Sequence, residues 1–163
     1  RLHFQAKAFN DEAIKLHYAE LFQAAGIDVT RIDFLPATNK TGILNNYRAI
    51  DIALDPFPCA GGTTTCESLW MGVPVITLLG DRFGCRHSAS HLHNVGLQNC
   101  IATNSEQYLQ LAQSLAADIT SLANLRAVLR EKLSSSALCD GALFARNFAE
   151  NLQLALSESD RVA

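Results

Sequence analysis

Residues 51–79 read DIALDPFPCAGGTTTCESLWMGVPVITLL, and the rest of the chain is organised around this stretch. The short apolar run within residues 50–54 is typical of a strand buried on both faces, and Pro56 and Pro58 end it. Residues 73–79 form a second run of the same kind. Two such runs with a helix-length segment between them predict a parallel β–α–β crossover.

Two adjacent glycines, Gly61 and Gly62, follow the first strand and allow a tight turn and close backbone approach. Thr64 and Glu67 have capping-box spacing, which predicts that a helix begins there, and Gly72 is expected to end it. A helix N-terminus at the carboxyl end of a parallel strand suits an anion, because N–H groups point outward and the helix dipole favours negative charge. Two interpretations stay open: an anion site with threonine hydroxyls as further donors, and a capped crossover without a ligand.

Composition restricts the class of protein. A chain of 163 residues with 48% hydrophobic and 18% charged residues predicts one globular, soluble domain, and no apolar run is long enough to span a membrane. A net charge of -3 without a basic block does not support binding to nucleic acid. Five scattered cysteines, never in C-x-x-C spacing, predict reduced thiols and a cytoplasmic location. The chain opens at Arg1 close to an apolar stretch, and we expect a fragment of a longer protein.

Strands and helices alternate over the first two thirds of the chain. Further strands are predicted at 2–5, 31–35 and 100–102, and helices at 11–25, 40–49 (helix or turn), 86–95, 105–118 and around 122–133. The pattern predicts an α/β fold: a Rossmann-like parallel sheet with helices on both faces, ending in helices. Ligands in such sheets bind at the carboxyl ends of the strands.

The last predicted helix carries an apolar stripe at helical spacing. Phe144, Phe148, Leu152 and Leu156 form the stripe. We favour the interpretation that it packs against its own domain. The alternative is that part of the stripe covers a neighbouring domain of a longer protein.

The loop after the second buried strand contains cations and hydroxyls that can face a phosphate. Arg82, Arg86 and His87 are the residues that can face the phosphate, and Ser88 and Ser90 are the hydroxyl partners. They follow a strand whose carboxyl end belongs to the predicted ligand-binding edge.

Three histidines in the same region raise the possibility of a metal site. His87 and His91 are one helical turn apart, with His93 nearby. The nearest acidic residue is Asp81, and no cysteine pairs closely with the histidines. We therefore favour histidines on a helix surface and expect no metal.

The block from 51 to 79, above all Gly-Thr-Thr-Thr-Cys-Glu-Ser-Leu-Trp-Met-Gly, resembles the signature of the O-linked N-acetylglucosamine transferase family, especially its SPINDLY-like branch. The similarity continues over nearly the whole chain, through Arg86-His-Ser-Ala-Ser90, Gly96-Leu97, Ile101-Ala102, Tyr108, residues 125–130 and Phe144-Ala145. Members of this family are inverting glycosyltransferases of the GT-B type, with two Rossmann-like domains and often tetratricopeptide repeats. The resemblance implies that residues 1–163 are the C-terminal, nucleotide-sugar-binding domain.

The resemblance also implies roles for individual residues. Thr63 and Thr64 match the threonines that hold the donor diphosphate, on the turn at Gly61 and Gly62. Glu67 matches an acidic position that binds the ribose hydroxyls. This role competes with the predicted capping box, because one carboxylate would have to serve both.

A second group of matching residues concerns the nucleobase. Lys40 matches a lysine beside the base, and the backbone near Thr38 is expected to read the base edge. This sequence departs from the family at Ile43, where a histidine is common. Animal members of the family carry a histidine at the position of Gly62 and an arginine at the position of Asn46.

The implied activity is transfer of a sugar, expected to be N-acetylglucosamine, from a nucleoside diphosphate to serine or threonine hydroxyls of a protein acceptor. The donor is expected to be a sugar attached to UDP rather than to GDP, and it is a substrate. We expect no cofactor or metal. The missing N-terminal half and tetratricopeptide repeats are expected to supply the acceptor site and base, so no catalytic residue is assigned and this fragment alone is expected to be inactive. The alternative is a non-catalytic nucleotide-binding or interaction module on the same fold. An epimerase of the GT-B fold fits less well, because the Gly-Thr-Thr-Thr block is not its pattern.

Overall fold

The computed structural model describes residues 1–159, and they form a mixed α/β chain whose strands all pair in parallel. Their contacts divide them into two compact units, Arg1–Ile50 and the described residues from Asp51 onward. The α/β fold with parallel sheets and terminal helices is therefore confirmed. The single domain at 1–163 stays a prediction, and its last four residues lie outside the described part.

The first unit contains two strands and two helices. Strand β1 (Leu2–Gln5) pairs with β2 (Ile32–Leu35), and α1 (Glu12–Ala24) connects them. Helix α1 begins after Asp11, whose carboxylate accepts the Ala13 N–H at 2.8 Å. Helix α2 (Lys40–Asn46) follows β2 and continues as a 3-10 turn, Tyr47–Ala49. Apart from one or two residues at their ends, these elements lie where the sequence predicts them.

The second unit contains three strands and five helices in the described part of the chain. In order, they are β3 (Ala53–Leu54), α3 (Thr63–Trp70), β4 (Val75–Leu78), α4 (His87–Asn94), β5 (Ile101–Ala102), α5 (Ser105–Ala117), α6 (Ile119–Ser134) and α7 (Gly141–Ser159). The strand order is β3-β4-β5, and both pairings are parallel. The carboxyl ends of the strands therefore share one edge. The loops after β3 and β4 are joined there by the Ala60 N–H, which donates to Gly84 O at 3.1 Å.

Strand β4 lies at the centre of the hydrophobic core of this unit. Its side chain at Ile76 is almost fully buried, as are Leu69 of α3, Leu92 of α4 and Leu129 of α6. Burying such side chains removes apolar surface from water, and this is the main stabilising contribution. The prediction of a strand buried on both faces is confirmed for β4 and is wrong for β3, where Ala53 is half-buried and Leu54 is 46% exposed.

The apolar stripe of α7 is exposed. Phe144 is 68% exposed and Phe148 61%, and Leu152 and Leu156 are also more than half exposed. The interpretation that the stripe packs against its own domain is wrong, because helical spacing shows that a face is apolar but not what covers it. None of the described helices is both long and apolar enough to cross a membrane.

Candidate functional site

Helix α3 begins two residues earlier than the capping box at Thr64 and Glu67 predicts. Its N-cap is Gly62, which has no side chain, and the carbonyl oxygen of Gly62 accepts the Thr65 N–H at 3.1 Å. Thr64 is therefore the second residue of the helix, and Glu67 is the fifth. The predicted capping box at the start of the helix is wrong, so Glu67 does not cap it.

Five predicted site residues meet at this helix start. Thr63 and Thr64 are exposed, Glu67 is half-buried one turn further along, and Gly61 and Gly62 form the turn before them. A Cβ atom at residue 62 would find no atom within 4 Å, so the space in front of the helix is open on this side. The N-terminal end of the helix and its two exposed threonines therefore border open space.

The two residues predicted beside a nucleobase, Thr38 and Lys40, are exposed at the start of α2 in the first unit. Between them, Asn39 caps the helix by accepting the Gly42 N–H at 2.9 Å. The Thr38 side chain packs against Gly42, where an added Cβ would lie 2.7 Å from Thr38 Cγ2. The family departures Ile43 and Asn46 are half-buried on the same helix, and the roles of Thr38 and Lys40 in binding stay predictions.

Both backbone groups of Gly61 are bound by buried side chains from other elements. Its N–H donates to Asp55 Oδ1 at 2.8 Å, and its carbonyl accepts the Ser88 hydroxyl at 2.9 Å. A Cβ atom at residue 61 would lie 2.7 Å from Thr65 Oγ1, so the turn needs glycine here. Close backbone approach, predicted for both glycines, is confirmed at Gly61 and stays a prediction at Gly62, where no atom lies within 4 Å of an added Cβ.

A buried polar network extends from this turn into the sheet. Asp55 follows β3 and is 6% exposed, and its second oxygen accepts the Thr77 hydroxyl of β4 at 2.7 Å. The Tyr108 hydroxyl of α5 donates to the backbone carbonyl of Asp55 at 2.9 Å. Burial raises the pKa of Tyr108 to about 12, and the negative charge of Asp55 adds to the shift. Tyr108 therefore stays protonated at neutral pH and remains a donor.

Ser88 has a different place from the one predicted. It is fully buried at the start of α4, and its hydroxyl also contacts Thr65 Oγ1 at 2.8 Å. The hypothesis that Ser88 binds a phosphate is wrong, because its hydroxyl points into the protein and binds the turn instead. The sequence contains one signal for this network, a polar Thr77 within an apolar strand.

The loop after β4 is largely exposed. Arg86 donates to the backbone carbonyl of Gly80 at 3.2 Å, so it orders its own loop. The Arg82 side chain is 86% exposed, and the rings of Phe83 and His87 are in edge contact at 4.7 Å. Whether Arg82, Arg86 and His87 face a phosphate stays a hypothesis.

No group of three or more His, Cys, Asp or Glu side chains within residues 1–159 is arranged to hold a metal ion. His91 Nδ1 is buried without a hydrogen-bond partner. Burial, with a smaller effect of His87, lowers the pKa of His91. His91 is therefore neutral at physiological pH.

The sequence matches the family described as Glycosyl transferase family 41 over residues 10–148. A tomato (Solanum lycopersicum) protein named "Probable UDP-N-acetylglucosamine--peptide N-acetylglucosaminyltransferase SPINDLY" is 43% identical over 152 residues, which is 90% of this chain and 16% of the relative. The Caenorhabditis elegans protein named "UDP-N-acetylglucosamine--peptide N-acetylglucosaminyltransferase" is 31% identical over 115 residues, 71% of this chain and 10% of the relative.

The fold is also similar to that of a solved structure. A Thermobaculum terrenum O-GlcNAc transferase mutant superposes with a TM-score of 0.88 at 34% identity, over 93% of this chain and 29% of that one. The chain thus spans 16% of the length of the SPINDLY relative and 29% of the solved chain.

Proposed function

The chain belongs to glycosyl transferase family 41, and on this premise we propose that it is the donor-binding part of an inverting protein O-N-acetylglucosaminyltransferase. The donor is UDP-N-acetylglucosamine, and the acceptor is a serine or threonine hydroxyl of a protein. The names of the tomato and nematode relatives, which specify UDP-N-acetylglucosamine and a peptide, support this choice of substrates.

One observation carries the proposal: the helix start at the carboxyl end of β3. There an N-cap without a side chain, exposed Thr63 and Thr64, and a turn fixed at Gly61 lie together. In the described residues of the second unit, α5 and α6 have side-chain caps, Asn104 and Asp118, whereas α4, like α3, begins without one. Helix α3 therefore presents its positive end to solvent next to two hydroxyl donors, which suits a diphosphate.

These groups act on the leaving group of the reaction. When the acceptor hydroxyl attacks the anomeric carbon, the bond from that carbon to the diphosphate oxygen breaks and negative charge builds on the phosphates, while the hydroxyl proton passes to a base outside residues 1–159. The helix dipole and the hydroxyls of Thr63 and Thr64 stabilise this charge without having to reorganise. We propose that Glu67, which does not cap the helix, accepts hydrogen bonds from the ribose hydroxyls one turn further along.

The remaining functions belong to the rest of a longer protein. We assign no general acid or base within residues 1–159, and we propose that a preceding catalytic half, with tetratricopeptide repeats, supplies the acceptor site. The chain on its own then binds the donor without transferring the sugar.

The experiment is a calorimetric titration of this chain with UDP, GDP and UDP-N-acetylglucosamine, together with a transfer assay on a serine-containing peptide. We expect binding of the uridine nucleotides, weaker binding of GDP, and no transfer. Absence of UDP binding would contradict donor binding, and transfer by this chain alone would contradict a shared catalytic cleft. Equal binding of UDP and GDP would remove the preference for uridine.

A further inference from the structure

We infer that Asp55 and Ser88 are positioning residues for the diphosphate, acting through the backbone of Gly61 without contact to the ligand. This inference rests on the proposed function, because it concerns the same helix start. It assigns a binding role to two buried side chains, one directly after β3 and one on α4, that do not face solvent.

The first step is the geometry at Gly61. Asp55 holds its N–H from one side and Ser88 holds its carbonyl from the other, at 2.8 and 2.9 Å. With both polar groups of the peptide units bound, the turn has one favoured orientation. Gly61 cannot rotate without breaking a buried hydrogen bond, which is unfavourable because the group left behind is unsatisfied.

The second step connects this turn to the helix. The Ser88 hydroxyl that binds Gly61 also bonds to Thr65 Oγ1, at 2.8 Å, in the first turn of α3. Ser88 therefore fixes the turn and the helix start relative to each other. The spacing between Gly61 and the exposed Thr63 and Thr64 depends on this link, and donors of a phosphate site must be held to within a fraction of an ångström.

The third step concerns the charge of Asp55. A carboxylate behind an anion site repels a diphosphate, so its charge does not favour the ligand. Its useful property is the pair of acceptors, since one oxygen binds Gly61 and the other binds Thr77. An uncharged side chain at residue 55 that still accepts the Gly61 N–H should therefore preserve UDP binding.

The main test compares two serine-to-alanine variants of this chain. Ser88→Ala removes the donor to Gly61 O. Ser68→Ala is the matched control, because Ser68 is equally buried on α3 and donates to the carbonyl of Val73 at 2.9 Å, at the other end of the helix. Each variant is titrated with UDP and with uridine, which lacks the phosphates, and its folding is checked by thermal unfolding.

We expect Ser88→Ala to lower UDP affinity roughly three- to tenfold, the effect of one lost hydrogen bond, with uridine affinity unchanged. Ser68→Ala should leave both affinities unchanged, even where it lowers the melting temperature. Equal UDP affinity in Ser88→Ala and wild type would overturn the inference. So would an equal loss for UDP and uridine, which indicates general disruption. Wild type that binds no UDP overturns the proposed function, and this inference with it.

A second pair of variants tests the role of Asp55 independently. Asp55→Asn keeps a carbonyl oxygen for the Gly61 N–H and should keep UDP affinity within about threefold of wild type. Asp55→Ala removes both acceptors and should weaken the binding of UDP more than the binding of uridine. If Asp55→Ala does not fold, Asp55→Asn and Ser88→Ala still test the inference. A loss of tenfold or more in folded Asp55→Asn would overturn the acceptor role.

Discussion

The two ends of helix α3 each have a nearby glycine, but the structure requires them for different reasons. At the C-terminal end, Gly72 has a φ of 76°, and a Cβ there would lie 3.1 Å from the Arg126 carbonyl. At the N-terminal end, Gly61 is needed because buried polar side chains leave no room for a Cβ. Gly72 thus ends the helix, whereas Gly61 shapes the surface in front of it.

The ends also differ in how their polar groups are satisfied. At the C-terminal end, Ser68 and Val73 exchange hydrogen bonds, with the Ser68 carbonyl accepting the Val73 N–H and the Ser68 hydroxyl donating to the Val73 carbonyl, both at 2.9 Å. At the N-terminal end, the cap has no side chain and the next two threonines are exposed. The comparison separates a closed C-terminal end, which stabilises the fold, from an open N-terminal end, for which we propose binding.

The largest expected effect is that of Gly61→Ala. The new methyl group must displace Thr65, Thr64 or Asp55, and overpacking of this kind costs about 1–3 kcal/mol of stability. Because the displaced groups surround the binding turn, UDP affinity should fall as well, by tenfold or more in the folded variant. Chemical denaturation and calorimetry measure the two quantities.

Gly72→Ala is the control at the closed end. The left-handed backbone costs a non-glycine residue about 1–2 kcal/mol, so the free energy of unfolding should fall. UDP affinity of the folded variant should stay at the wild-type value. If Gly72→Ala weakened UDP as much as Gly61→Ala does, the two ends would not differ in function.

The next effect in size is that of Thr64→Ala. Loss of one phosphate donor should cost about 1–3 kcal/mol of UDP binding. Thr120→Ala is the matched control, since Thr120 is also exposed and second in its helix, but α6 is capped by Asp118. It should not change UDP affinity. Equal binding by Thr64→Ala and wild type, with both folded, would place the site elsewhere.

The difference between the two ends also shows what sequence reasoning can reach. The closed end was predictable, because Gly72 after an apolar helix is a local signal. The open end was predictable as a glycine turn before a helix, but not in detail. Three consecutive threonines offer several equivalent helix starts. The observed N-cap, Gly62, follows Gly61, whose backbone is bound by Asp55 and Ser88, two residues that are distant from each other in sequence.

Two wrong interpretations have the same physical origin: the sequence pattern does not show the contacts between residues that are distant along the chain. The sequence predicts that Ser88 faces a phosphate, and this fails because residue spacing does not show which hydroxyl of a loop-to-helix junction points inward. The prediction that the stripe beginning at Phe144 packs on its own domain fails because periodicity identifies an apolar face but not the surface that covers it. The assignment of Thr63 and Thr64 to a diphosphate came from the family resemblance, with support from the general properties of helix N-termini.

The smallest expected effect is that of metal ions on the open end. If a helix N-terminus and hydroxyls hold the diphosphate, UDP affinity should be the same in EDTA and in added magnesium or manganese, because no divalent ion bridges the phosphates. High salt should weaken binding only modestly, since dipole and hydrogen bonds act at contact distance, well inside the Debye length of about 8–10 Å at moderate ionic strength. His87, His91 and His93 represent the opposing mechanism, a metal-assisted diphosphate. Calorimetric titration with UDP under each condition measures the difference. Loss of binding in EDTA that either metal restores would show that the open end of α3 is insufficient by itself, and would make the histidines the first candidates for ligands.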